Sequence, residues 1–142
     1  MFCMDRQQLQ SFLLRLAGLV EILAFGAVVM PRSWMEMSHA WLGLGVMPDG
    51  TILMFLIRQA SYVYGTHGIS LWVLASDVVR FRPLVRLNGV SFLVAAPVFL
   101  VIDYTSGTPF FWTVIDTLGC AFFGGALLWL DRSGSDWFKK EN

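Results

Sequence analysis

Six side chains of this 142-residue chain place titratable or hydrogen-bonding groups inside runs that are otherwise apolar: Glu21, Arg58, Tyr62, Tyr64, His67 and Asp116. A carboxyl in such a run can hold a proton or a cation, because desolvation disfavours its charged form. Glu21 shares its helical face with Ala17, Gly18 and Ala24, small neighbours that let a second helix approach and cover it. His67 is the natural partner for that carboxyl, and a neutral, hydrogen-bonding imidazole is its plainer role. Arg58 either extends to lipid phosphates from a span end or forks onto a carboxylate such as Asp103 or Asp116. On a helical wheel Arg58, Ser61, Tyr62, Gly65, Trp72 and Ser76 fall along one side and His67 nearly opposite, so this segment offers two polar faces. Asp116, flanked on its side by Thr113, Gly119, Cys120, Phe123 and Gly124, is expected to face other helices.

The elements that position these groups follow from composition. Hydrophobic residues make up 56% of the chain and charged residues 14%, with a mean hydropathy of +0.64. Soluble domains carry about a quarter charged residues, so a conventional soluble enzyme is excluded. Ten basic and ten acidic residues cancel, which leaves no global field to recruit nucleic acid. A helix crossing ~30 Å of hydrocarbon needs roughly 20 residues, and the apolar runs are too long and too unalternating for barrel strands. They predict an all-α membrane protein, a bundle of four transmembrane helices near residues 11–30, 55–79, 87–103 and 109–130. Residues 1–132 then form one domain, and 133–142 a polar cytoplasmic tail.

Local signals set the expected boundaries. Pro31 closes the first span, Pro83 stops the second, Asn88-Gly89 restarts the chain, and residues 103–107 make a short turn. Thr108 caps the fourth span and Pro109 opens it. Between the first two spans, Ser33 and Glu36 fit a capping box, with Trp34, Met37 and Trp41 on one face of a short helix in the outer headgroup layer. Arg6, Arg15, Arg80, Arg82, Arg86, Arg132, Lys139 and Lys140 sort to one side and only Arg32 and Arg58 to the other, which predicts a multi-pass protein of a bacterial inner membrane with both termini cytoplasmic. Glu21 inside the first apolar run argues against a cleaved signal peptide, although Ala24-Phe25-Gly26 has cleavage-like spacing. Cys3 and Cys120 belong to no CxxC pair, and two histidines at different depths leave no metal site to expect; no cofactor is specified.

Arg58-x-x-Ser61-x-x-Tyr64-x-x-His67-Gly68, followed by Leu71-Trp72, Asp77, Arg80 and Arg82-Pro83, resembles a family of small uncharacterised bacterial membrane proteins, broadly similar in size and layout to DoxX-like proteins. Asp103, Gly107-x-Pro109-x-x-Trp112 and Gly125-x-x-Leu128-Trp129-Leu130 extend the resemblance to about half the chain. It implies a four-helix fold and no particular activity; where a Glu is expected in the last span, this chain has the shorter Asp116.

Three functions fit these residues. The first is a non-enzymatic bundle or accessory subunit, a homo-oligomer or the partner of another membrane protein, with Ser61-x-x-x-Gly65 and Ala121-x-x-x-Gly125 as close-packing surfaces. The second is a proton-coupled transporter: one Glu at mid-span in the first helix is similar to the small multidrug-resistance exporters, which are shorter and lack an outer interfacial helix. The third is a redox or lipid-binding membrane protein using Arg58, Tyr62 or Tyr64, His67 and Asp116, for which no nucleophile-base spacing is present. The first is preferred.

Overall fold

The computed structural model describes residues 5–135, with side chains to residue 131, and every regular element in it is a helix. The elements are α1 (Arg6–Ile22), α2 (Phe25–Val29), α3 (Arg32–Trp41), α4 (Thr51–Ser76), α5 (Arg82–Ser106) and α6 (Phe110–Ser135). The rest of the expected polar tail, residues 136–142, lies outside the described residues.

Three stretches are long and apolar enough to cross a membrane: Arg6–Val29, Arg82–Ser106 and Phe110–Asp131. That corrects the expected four apolar spans. At 26 residues, α4 has the length, about 39 Å at 1.5 Å per residue, but Arg58, Gln59, Thr66, His67 and Ser70 dilute its apolar character.

Several boundaries also move. α4 ends at Ser76, where Asp77 Oδ1 accepts the Arg80 N–H at 2.9 Å and closes a turn. Pro83 stands in the first turn of α5, where a missing N–H costs no helical bond. Asn88 and Gly89 lie inside α5 rather than restarting it; the Asn88 amide donates back to the Leu84 carbonyl at 2.9 Å. The turn is shorter than expected because α5 runs to Ser106 and ends on Gly107, whose φ of 69° suits a residue without Cβ. Thr108 does not cap α6: its hydroxyl contacts the Asp103 carbonyl and the Thr113 hydroxyl. Nor does the capping box form. α3 starts on Arg32, so Ser33 is already inside the helix, and Glu36 accepts from Arg32 Nε at 2.7 Å. Trp34, Met37 and Trp41 are exposed along α3, and Met35 is buried.

The chain divides into two compact units, Leu14–Val73 on one hand and the residues up to Leu13 with those from Leu74 onward on the other; α1 and α4 contribute to both. In the first, Leu14 and Leu71 are fully buried, and Trp72 donates its indole N–H to the Arg15 carbonyl at 2.9 Å. In the second, α5 and α6 pair along Val85, Gly89, Ala96, Leu127 and Leu130. Its start of α1 is fastened by Gln10 Nε2 donating to the Leu127 carbonyl at 3.3 Å and by Ser11 Oγ donating to the Ala75 carbonyl at 2.6 Å.

Candidate functional site

Within the Leu14–Val73 unit, α1 and α4 approach until their backbones touch. A Cβ on Gly68 would stand 2.6 Å from the Gly18 carbonyl oxygen, and one on Gly18 would stand 2.7 Å from that of Gly68. One turn along α1 from Gly18, Glu21 Oε2 meets His67 Nδ1 at 2.5 Å. The Glu21 side chain is 15% exposed and that of His67 41%, so the carboxyl is the covered member and the imidazole the more open one. His67 reaches this partner from the flank of α4; Gly65, Gly68 and Trp72 form the contact face itself. The close approach depends on glycine, and the pair supplies the polar bond that such a bare contact lacks.

Immediately after Glu21 the helix changes gauge. Ala24 N–H donates to the Glu21 carbonyl, Gly26 to Leu23 and Ala27 to Ala24, each three residues back at 3.0 Å. This tighter, 3₁₀-like spacing separates α1 from α2. Phe25, just past the interruption, sets its ring where a Cβ on Gly65 would be and packs edge-on against Tyr62, centroids 5.9 Å apart.

The remaining candidates stand elsewhere on α4 and on α6. Arg58 is exposed on α4 and makes no ion pair among the described residues. Tyr62 is exposed apart from its contact with Phe25, and Tyr64 is exposed as well. Asp116 is half-buried on α6, within electrostatic reach of Asp103.

Other polar groups stand out only in three dimensions. Asp131, 7% exposed, accepts from Arg82 Nε at 2.5 Å, with Arg86 Nε at 4.0 Å from its other oxygen. Arg82 and Arg86 are one helical turn apart, the spacing that lets both reach one carboxylate. Asp103 is also 7% exposed, and its Oδ2 has no hydrogen-bond partner among the described residues. Arg32 bridges Glu36 and Asp49, tying the start of α3 to the loop before α4; the hydrogen bond it donates to Glu36 chiefly holds its guanidinium above the ordinary value. Ala121 and Gly125 do not act as an internal packing surface, since a Cβ on Gly125 would meet nothing within 4 Å; Gly89 and Gly124 take that role, a Cβ on Gly124 lying 2.6 Å from the Gly89 carbonyl oxygen.

No family model matches the chain. No curated protein and no solved structure matches it either.

Proposed function

We propose that this chain is a non-enzymatic integral membrane protein, an accessory or self-associating subunit, in which the Glu21–His67 pair holds two helices together at depth. The observation that carries the reading is the 2.5 Å contact between Glu21 Oε2 and His67 Nδ1 beside the Gly18–Gly68 approach. In this reading α4 is a fourth crossing, its polarity tolerated because polar groups in a bilayer are accepted when they find partners. Thr66 and Ser70 bond back to carbonyls of their own helix, at 2.9 and 3.2 Å, and Trp72 to α1. The layout is then that of a four-helix protein similar to DoxX-like proteins, with α3 in the outer headgroup layer and both termini cytoplasmic. The basic residues support that orientation, eight on one side and Arg32 and Arg58 on the other. Cysteine accessibility labelling in a background lacking Cys3 and Cys120 tests it: external labelling at position 84 would overturn it.

The functional reading is tested on Glu21. Glu21→Gln keeps a hydrogen-bonding group of the same shape and is expected to fold and melt nearly as wild type, whereas Glu21→Ala removes the carboxyl's bond to the imidazole and costs about 1–3 kcal/mol. The second reading, proton-coupled transport, draws on the same pair, two titratable groups beside an interrupted helix. In proteoliposomes with an internal pH dye and candidate organic cations, a well-folded Glu21→Gln variant that abolishes a substrate-dependent proton flux of the wild type would replace the first reading with the second.

A further inference from the structure

Along the unit that contains α5 and α6, the first turns of α1 and the last turns of α6 enclose an open groove of about 510 Å³, within the size range of small-molecule sites. Leu9 and Leu13 line it from α1, and Ala121, Gly125, Trp129 and Leu130 line it from α6. The lining is hydrocarbon almost throughout, and a Cβ on Gly125 would meet nothing within 4 Å. At one end stands Arg6, its guanidinium 6.0 Å from the centroid of the Trp129 ring.

Among the described residues the charges at this end do not balance. Asp131 is engaged by Arg82 and Arg86. Asp77 caps the turn before α5, and Asp5 accepts the backbone N–H of Arg6 rather than its guanidinium. Among the described residues Arg6 and Arg80 have no carboxylate in an ion pair, and both lie against aromatic rings. A cation at the mouth of an apolar groove on membrane-crossing helices is complementary to a molecule with a long hydrocarbon tail and an anionic head.

We propose that this groove is a binding site for one anionic diacyl phospholipid, with an acyl chain lying over Ala121 and Gly125 and the headgroup phosphate on Arg6. Specificity for the anionic head comes from Arg6, and occupancy of the groove comes from its emptiness at Gly125. The two contributions are separable by substitution. Gly125→Leu fills the groove from a position where added atoms meet open space, and Arg6→Gln removes the charge at an exposed site.

The test uses the full chain reconstituted in vesicles of equal parts phosphatidylglycerol and phosphatidylcholine, released into mild detergent and weighed by native mass spectrometry. Wild type is expected to retain one lipid, with phosphatidylglycerol favoured about fivefold, the ratio that ~1 kcal/mol per basic residue near a membrane surface gives. Arg6→Gln should bring that ratio to near parity, and Gly125→Leu should remove the retained lipid while leaving the detergent melt unchanged. A wild type that retains no lipid or prefers neither headgroup would overturn the proposal. So would lipid retention by Gly125→Leu, or a loss of dimer in that variant, which would give the groove to a second copy of the chain.

Discussion

The two units bring helices together by the same device and then secure the contact differently. Gly18 and Gly68 let α1 and α4 touch, and Gly89 and Gly124 do the same for α5 and α6. Around the first contact the supplement is polar, the Glu21–His67 bond and the Trp72 indole on the Arg15 carbonyl. Around the second it is aromatic and aliphatic: Phe92 and Phe123 meet edge-on with centroids 5.0 Å apart, and the ion pair is displaced to the helix ends, at Arg82 and Asp131. In a bilayer, apolar side chains gain nothing from leaving lipid for protein, so close packing and polar bonds must hold helices together. The α1–α4 contact adds a polar bond to close packing, and the α5–α6 contact relies on fit.

The strongest test of this contrast is to remove the shared device. Gly68→Leu and Gly124→Leu each drive side-chain atoms against backbone, and both are expected to cost about 3 kcal/mol or more in detergent melts. Gly26→Leu, at a helical glycine where a Cβ meets nothing, is the control that should not destabilise. A tolerant Gly124→Leu would mean that the α5–α6 contact is held by something other than close approach.

Next in size is the end clamp. Arg82→Met leaves the buried Asp131 carboxylate with only Arg86, at 4.0 Å, and should cost about 2–3 kcal/mol. Hydrogen exchange should then rise at the start of α5 and the end of α6 while α1 and α4 between Leu14 and Val73 keep their protection. Uniform loss of protection would erase the distinction between the units.

A double-mutant cycle on Glu21→Ala and His67→Ala sharpens the other side of the comparison. The coupling expected is about 1–2 kcal/mol, the value of a hydrogen bond with a charged or strongly polar partner; a coupling near zero would reduce the 2.5 Å contact to a bystander of the glycine approach. Smallest of all is Arg32, whose partners Glu36 and Asp49 are solvent-exposed. Arg32→Gln should leave the melting temperature unchanged, because screened surface pairs contribute little, and should show only as faster proteolysis of the loop at residues 42–50.

Helix locations are legible in the sequence because an apolar run of about 20 residues has few uses other than crossing hydrocarbon. Their edges are less so. Pro83 suits both the end of one helix and the first turn of the next, and only the position of the Asp77 turn decides between them. The interruption after Glu21 is invisible, since Leu23-Ala24-Phe25 contains no helix breaker and Phe25 instead finds its place over Gly65. Glu21 and His67 suggest a pair by residue type, but a wheel places His67 away from the contact face and ignores the reach of an imidazole from its flank. Asp131 gives no signal in the sequence, because its partner Arg82 is 49 positions away in the chain. Asp103 is buried as well, which its place beside a turn does not reveal.

The polarity of α4 also bears on the order in which the protein can be made. Where α4 crosses the bilayer, as proposed above, its polar groups gain from a partner already in place, and Glu21 precedes His67 by 46 positions. On that reading ribosomal synthesis delivers α1, within a stretch long and apolar enough to cross a membrane, before α4. Translation order and assembly order then coincide. A permuted chain that began with α4 would encode every contact described above and still present Arg58, His67 and Ser70 to the bilayer before Glu21 and the Gly18 notch existed to receive them.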